Sequence, residues 1–123
     1  MRIALVVGLG GGVGSLARHG VSIIIHRLGW PSVPYATATV NLLGCIAVGA
    51  LAGAISAGSI RLTQTGRAFV FVGLLGGFTT FSSLSLDTLA LVRSGSIGTA
   101  LVNAGGQLVV GLAGGLAAYW FAA

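Results

Sequence analysis

The feature that most restricts this chain lies at residues 76–82, where Gly76-Gly77-Phe78-Thr79-Thr80-Phe81-Ser82 interrupts an apolar stretch running from 67 to 92. A stretch that greasy would otherwise form one unbroken membrane helix. Two adjacent glycines weaken a helix, and hydroxyls can satisfy the backbone groups that an opened turn releases. In hydrocarbon, an opened helix survives only where protein or a water-filled path shelters it. The segment is therefore the first candidate for an ion or solute site.

The rest of the chain calls for a bilayer as its solvent. Soluble domains carry about a quarter charged residues, whereas this chain has 6% charged against 55% hydrophobic. Its charges are Arg2, Arg18, Arg27, Arg61, Arg67 and Arg93, with Asp87 the lone acid. These arginines are scattered, without a basic patch or interleaved aromatics, so the positive balance does not point to nucleic acid. Crossing the hydrocarbon takes about 20 apolar residues as a helix. Four segments qualify, at roughly 3–25, 36–57, 67–92 and 97–121, and they read as a single all-α transmembrane domain over 1–123. Gly29-Trp30-Pro31-Ser32-Val33-Pro34, Ala57-Gly58-Ser59-Ile60-Arg61 and Arg93-Ser94-Gly95-Ser96 form the breaks between them. Tyr119, Trp120 and Phe121 form an aromatic belt at the last exit. The start, Met1-Arg2 followed by Ile3-Ala4-Leu5, resembles a signal peptide, but Gly-rich packing sequence follows and it reads as a mature helix.

An even number of spans puts Arg2, Arg61 and Arg67 on one side and Arg27 and Arg93 on the other. So weak a bias permits insertion both ways round, and hence an antiparallel dimer. Gly10/Gly14, Gly49/Gly53, Gly73/Gly77 and Gly111/Gly115 are small-xxx-small pairs, which let helix backbones approach closely in lipid. Four short helices enclose little by themselves, so a homodimer is the natural way to build a pathway.

Polar groups at membrane depth are costly and mark function or packing. Arg18 shares a stripe with Gly11, Gly14 and Ser15; it either snorkels to the headgroups or lines a vestibule that attracts anions. Asn41 shares a face with Thr37 and Gly44. It either bonds across helices or offers an anion its amide N–H donors. Phe78 and Phe81 either pack or turn their partially positive edges to an anion. Asn103 and Gln107 lie four apart on one face of the last span. With Asp87 the only carboxylate, paired acid–base chemistry is impossible within one chain. Gly8-x-Gly10-x-Gly12 has no preceding strand and no acid about 20 residues on, so it is no dinucleotide site. The chain does not read as an enzyme. Cys45 reads as an inert buried thiol, and His19 and His26 as interfacial.

Three motifs, in order, resemble one family. They are Gly11-Gly12-Val13-Gly14-Ser15-Leu16-Ala17-Arg18, Thr39-Val40-Asn41-Leu42-Leu43-Gly44-Cys45 and Gly76-Gly77-Phe78-Thr79-Thr80-Phe81-Ser82-Ser83. Together they look like the bacterial fluoride channels of the Fluc or CrcB type, along the whole chain. That resemblance implies a multi-pass protein of the bacterial plasma (inner) membrane, an antiparallel dual-topology homodimer with its third helix broken mid-membrane. It implies two fluoride pathways and a structural Na⁺ at the dyad, held by the backbone carbonyls of Gly76 and Thr79 from both copies. Asn41 matches the family's pore asparagine, Phe81 the first of two pore phenylalanines and Arg18 the vestibule arginine. Asp87 falls where relatives usually carry Glu, towards one pore end. The second phenylalanine is replaced by Leu84, which points to a dispensable ring, reduced conductance or a distinct partner subunit. Gln107 stands where relatives often have a smaller hydroxyl.

The implied activity is passive, selective export of fluoride, which lowers its toxicity. Fluoride is strongly hydrated, so Asn41 and the hydroxyls of Thr80, Ser82 and Ser83 are the candidate replacements for its water, with Phe81 between them. Two alternatives have other signatures. A small dual-topology, proton-coupled multidrug exporter would want an acid in the first span, where this chain has Arg18. A non-transporting membrane subunit would survive pore substitutions unharmed.

Overall fold

A computed structural model describes residues 1–123, apart from the side chain of Ser32. The chain is helical, with no strand among the described residues. Its elements are α1 (Arg2–Arg27), α2 (Ser32–Ser56), α3 (Gln64–Arg67), a π-helical stretch (Ala68–Leu75), α4 (Gly76–Phe78), α5 (Phe81–Arg93) and α6 (Ile97–Ala122). Three helical runs are long and apolar enough to cross a membrane: Val33–Ser56, Gln64–Arg93 and Ile97–Ala122. The 26-residue α1 is as long, but Arg18, His19 and its many glycines dilute its apolar character.

Glycine ends three of these helices for a stereochemical reason. Gly29, Gly58 and Gly95 have φ of 76°, 75° and 80°, in the left-handed region. Each donates its N–H to the carbonyl three residues back, while the next residue reaches five back. At α5 these bonds are Gly95 to Val92 at 3.0 Å and Ser96 to Leu91 at 2.9 Å. The motif satisfies carbonyls that a helix end leaves bare. Gly95→Ala is expected to destabilise the protein by about 1 kcal/mol, because a Cβ is penalised at this φ. A melting curve in detergent would read this as a lower midpoint, and an unchanged midpoint would contradict it.

Glycine also sets how closely the helices pack. A Cβ on Gly10 would lie 2.7 Å from the Phe69 carbonyl oxygen, and one on Gly77 would lie 2.9 Å from Gly11 Cα. Cβ atoms on Gly14, Gly49 and Gly53 would overlap the backbone of Leu74, Gly115 and Tyr119 respectively. These contacts run α1 parallel to the π-helical stretch and α4, and α2 parallel to α6. The small-residue pairs are thus packing surfaces. Large apolar side chains such as Leu101, Leu108, Leu112 and Leu116 of α6 face outward. The buried set mixes Ile25, Ala36, Val40, Leu75 and Ala100 with Thr37, Asp87, Asn103 and Gln107. Apolar outside and polar within is the arrangement that hydrocarbon rewards.

Candidate functional site: an opened helix braced by Asn41

Between Phe78 and Phe81 the helical path stops and restarts. Thr79 (φ −84°, ψ 159°) and Thr80 (φ −155°, ψ 116°) are extended, a conformation that suits β-branched side chains. The glycines do not carry the opening: Gly76 stays helical at φ −64°, ψ −35°. Gly77 instead makes room for the Gly11 backbone, and Ser15 donates its hydroxyl to the Gly77 carbonyl at 3.5 Å. The Thr79 side chain fills the space that a Gly44 Cβ would occupy, which seats the opening against α2.

An extended residue has no helical partners, so the backbone groups of Thr80 must be satisfied from outside. Asn41 does this with both ends of its amide. The Thr80 N–H donates to Asn41 Oδ1 at 2.8 Å, and Asn41 Nδ2 donates to the Thr80 carbonyl at 3.1 Å. That pairing fixes which way the amide points. Nδ2 also donates to Gln107 Oε1 at 2.8 Å. Gln107 Nε2 then donates to Asn103 Oδ1 at 2.7 Å, and Asn103 Nδ2 to Thr88 Oγ1 at 3.0 Å. Thr88 finally donates to the Leu84 carbonyl at 2.7 Å. The sequence expectation left Asn41 with amide hydrogens to offer an anion. Here both are engaged, one by the backbone and one by Gln107.

The hydroxyls cluster around the restart. Thr80 Oγ1 caps α5 by accepting the Ser83 N–H at 3.2 Å. It also lies 3.1 Å from Ser83 Oγ and 3.2 Å from Ser82 Oγ. Thr79 turns its hydroxyl away, to the Leu75 carbonyl at 3.0 Å.

The opening leaves the carbonyls of residues 76–79 without their ordinary helical donors, and for Gly76 and Thr79 those donors are engaged by side chains. In a continuous helix the Thr80 N–H would serve Gly76 and the Ser83 N–H would serve Thr79. Both donors are instead taken by side-chain oxygens, Asn41 Oδ1 and Thr80 Oγ1. Carbonyl oxygens of this kind suit a hard cation. No group of His, Cys, Asp or Glu side chains among the described residues could hold a metal.

Two open grooves, of about 590 and 740 Å³, meet at Asn41, Phe81 and Leu84. The first runs past Gly44, Thr79 and Thr80 towards Tyr119, and the second past Ser85, Thr88 and Gln107 towards Val92. Phe81 stands at the lip, 80% exposed. Leu84, in place of a second aromatic, lies beside it. Arg18 is half-buried on α1, and Asp87 is buried on α5 with its Oδ2 unpartnered among the described residues. Neither Arg18 nor Asp87 lines a groove. The structure therefore brings Asn41, Thr80 and Phe81 together along the grooves, sets Ser82 and Ser83 against the Thr80 hydroxyl without lining either groove, and keeps Arg18 and Asp87 apart. Thr88 had no role in the sequence reading. Asn103 and Gln107 were legible as a pair by their spacing, but not as the extension of Asn41.

Fold and site together define a helical, multi-pass membrane protein with a polar seam where one helix opens. The chain belongs to the CrcB family: the family model described as CrcB-like protein, Camphor Resistance (CrcB), matches residues 5–120. It is 46% identical over 109 residues to the fluoride-specific ion channel FluC of Paracoccus denitrificans, covering 89% of this chain and 85% of that protein. The protein of the same name from Thermus thermophilus is 45% identical over 113 residues, 88% of this chain and 85% of its own. That from Hyphomonas neptunium is 39% identical over 121 residues, 96% of this chain and 93% of its own.

Proposed function

We propose that this chain is a fluoride-selective channel that exports fluoride passively across the bacterial plasma membrane. The observation that carries this reading is the seam itself. Asn41, Phe81 and a cluster of hydroxyls meet at an opened helix, in a chain 46% identical to a protein named for fluoride conduction. The proton-coupled multidrug alternative receives no such support.

In this reading α1 is a fourth span, the Thr79–Thr80 opening lies mid-membrane, and residues 1–123 form one domain. Two copies pair antiparallel in a dual-topology homodimer. The exposure of Phe81 and the openness of both grooves favour a second copy as the other wall. A Na⁺ at the dyad would be held by the carbonyls of Gly76 and Thr79, whose usual donors are engaged elsewhere. It would cross-link the opened helices of the two copies.

Along the seam, the hydroxyls of Thr80, Ser82 and Ser83 replace water lost by the anion, and the Phe81 edge adds weak positive potential. Among the residues lining the grooves there is no Lys or Arg, so binding stays weak enough for release. Arg18 raises the anion concentration at an entrance, and Asp87 lies towards one pore end. A negative-inside potential contributes about 2.3 kcal/mol per 100 mV to outward movement of the anion. Vesicles containing the purified protein and loaded with potassium fluoride should leak fluoride when valinomycin is added. Chloride-loaded vesicles should not. Fluoride retention equal to that of protein-free vesicles would refute the proposal.

A further inference from the structure

We infer that Gln107 sets how tightly the seam holds a small, hard anion, by competing with that anion for one amide hydrogen of Asn41. This rests on the fluoride-channel reading and names a residue that tunes it. Of the two Asn41 Nδ2 hydrogens, one satisfies the Thr80 carbonyl at 3.1 Å. Releasing it would orphan a backbone group at the helix opening, which is costly away from water. The other is held by Gln107 Oε1 at 2.8 Å, a bond between two side chains. An anion that reaches Asn41 can gain only this second hydrogen.

Gln107 is held in place to compete. Its Nε2 is anchored to Asn103 Oδ1 at 2.7 Å, and Asn103 to Thr88 Oγ1 at 3.0 Å. Gln107 and Asn103 are 9% and 6% exposed, so solvent offers little substitute for these partners. The donors point one way, from the Thr80 N–H through Asn41, Gln107, Asn103 and Thr88 to the Leu84 carbonyl. A chain aligned in this way polarises and strengthens each bond in it. Asn41 lines both grooves and Gln107 only one, so the contested hydrogen lies where the grooves join. Gln107 is thus a positioning residue: it acts on the anion through Asn41.

The test compares two near-isosteric substitutions in proteoliposomes, reading the fluoride concentration at which the initial efflux rate is half-maximal. Gln107→Met removes the competing oxygen and should lower that concentration by about fivefold, the worth of one ordinary hydrogen bond. Gln107→Glu supplies a charge-assisted acceptor and should raise it at least as far. The fall with Gln107→Met is the deciding result, because damage to packing would weaken binding, and a carboxylate at 107 would repel the anion whether or not it competed for the Asn41 hydrogen. Shifts in one direction, or none, overturn the inference. Where Gln107→Met fails to assemble, Gln107→Ser removes the same acceptor and must show the same tightening. A parent protein that releases no fluoride overturns this inference and the channel reading together.

Discussion

Gly49→Val is expected to prevent assembly, while Gly98→Ala leaves the protein intact. A Cβ at Gly49 would overlap the Gly115 carbonyl and lie 2.9 Å from Gly115 Cα. These are backbone atoms of α6 and cannot rotate aside, so α2 and α6 would have to separate. The separation would loosen the neighbouring contacts of Gly53 with Tyr119 and of Gly111 with Cys45, and the Asn41–Gln107 bond. Overpacking a tight interface costs about 3 kcal/mol at the upper end of its usual range, and a branched side chain against backbone belongs there. By contrast, a Cβ on Gly98 meets nothing within 4 Å, and Ala is the better helix former. Size-exclusion chromatography and melting of the detergent-solubilised variants would separate the two. A monodisperse Gly49→Val protein with the parental midpoint would mean that the α2–α6 contact is not as close as described.

Asn41→Asp should abolish fluoride export while leaving a folded, inserted protein. The substitution keeps the shape and the acceptor for the Thr80 N–H, but it removes both donors. The polar chain can adapt, because Gln107 and Asn103 can each turn their amides over and pass hydrogens in the reverse direction. The Thr80 carbonyl cannot adapt and loses its partner. In the proposed pathway the variant also places a carboxylate beside the passing anion. Like charges about 4 Å apart repel by about 4 kcal/mol at an effective dielectric of 20. On the barrier to conduction that amounts to about a thousandfold loss of rate. Efflux from proteoliposomes and growth on fluoride would both record it. A variant that assembles and still exports at the parental rate would take Asn41 out of the pathway.

Much of this architecture was legible because it depends on local stereochemistry. Gly29, Gly58 and Gly95 mark helix ends because only glycine sits comfortably at their φ values. Gly49 and Gly14 mark contacts because a helix surface without a Cβ is useful only where another backbone comes near. The position of the opening was harder to read. Both a glycine pair and a threonine pair stand in the motif, and either can disrupt a helix. The choice went to Thr79–Thr80 because Gly77 was already committed to the α1 backbone and Thr80 could cap its own continuation. The π-helical stretch at Ala68–Leu75 has no counterpart in the apolar pattern, since one widened turn leaves the composition unchanged. The engagement of Asn41 by Gln107 depends on the register between α2 and α6. That register is a tertiary property, fixed by glycines one and two turns further along.

The hydrogen-bonded chain has a mechanical consequence. It leaves α5 at Thr80, crosses α2 and α6, and returns to α5 at Thr88 and Leu84, forming a closed circuit. Twisting the first turns of α5 about their axis would break several of these links at once, so α2, α5 and α6 must travel as a single block. At its foot, by contrast, α1 meets the π-helical stretch and α4 through glycine faces and one long Ser15 bond. Smooth faces with few directional bonds slide easily, so any reshaping of the molecule would begin as slippage along that α1 boundary.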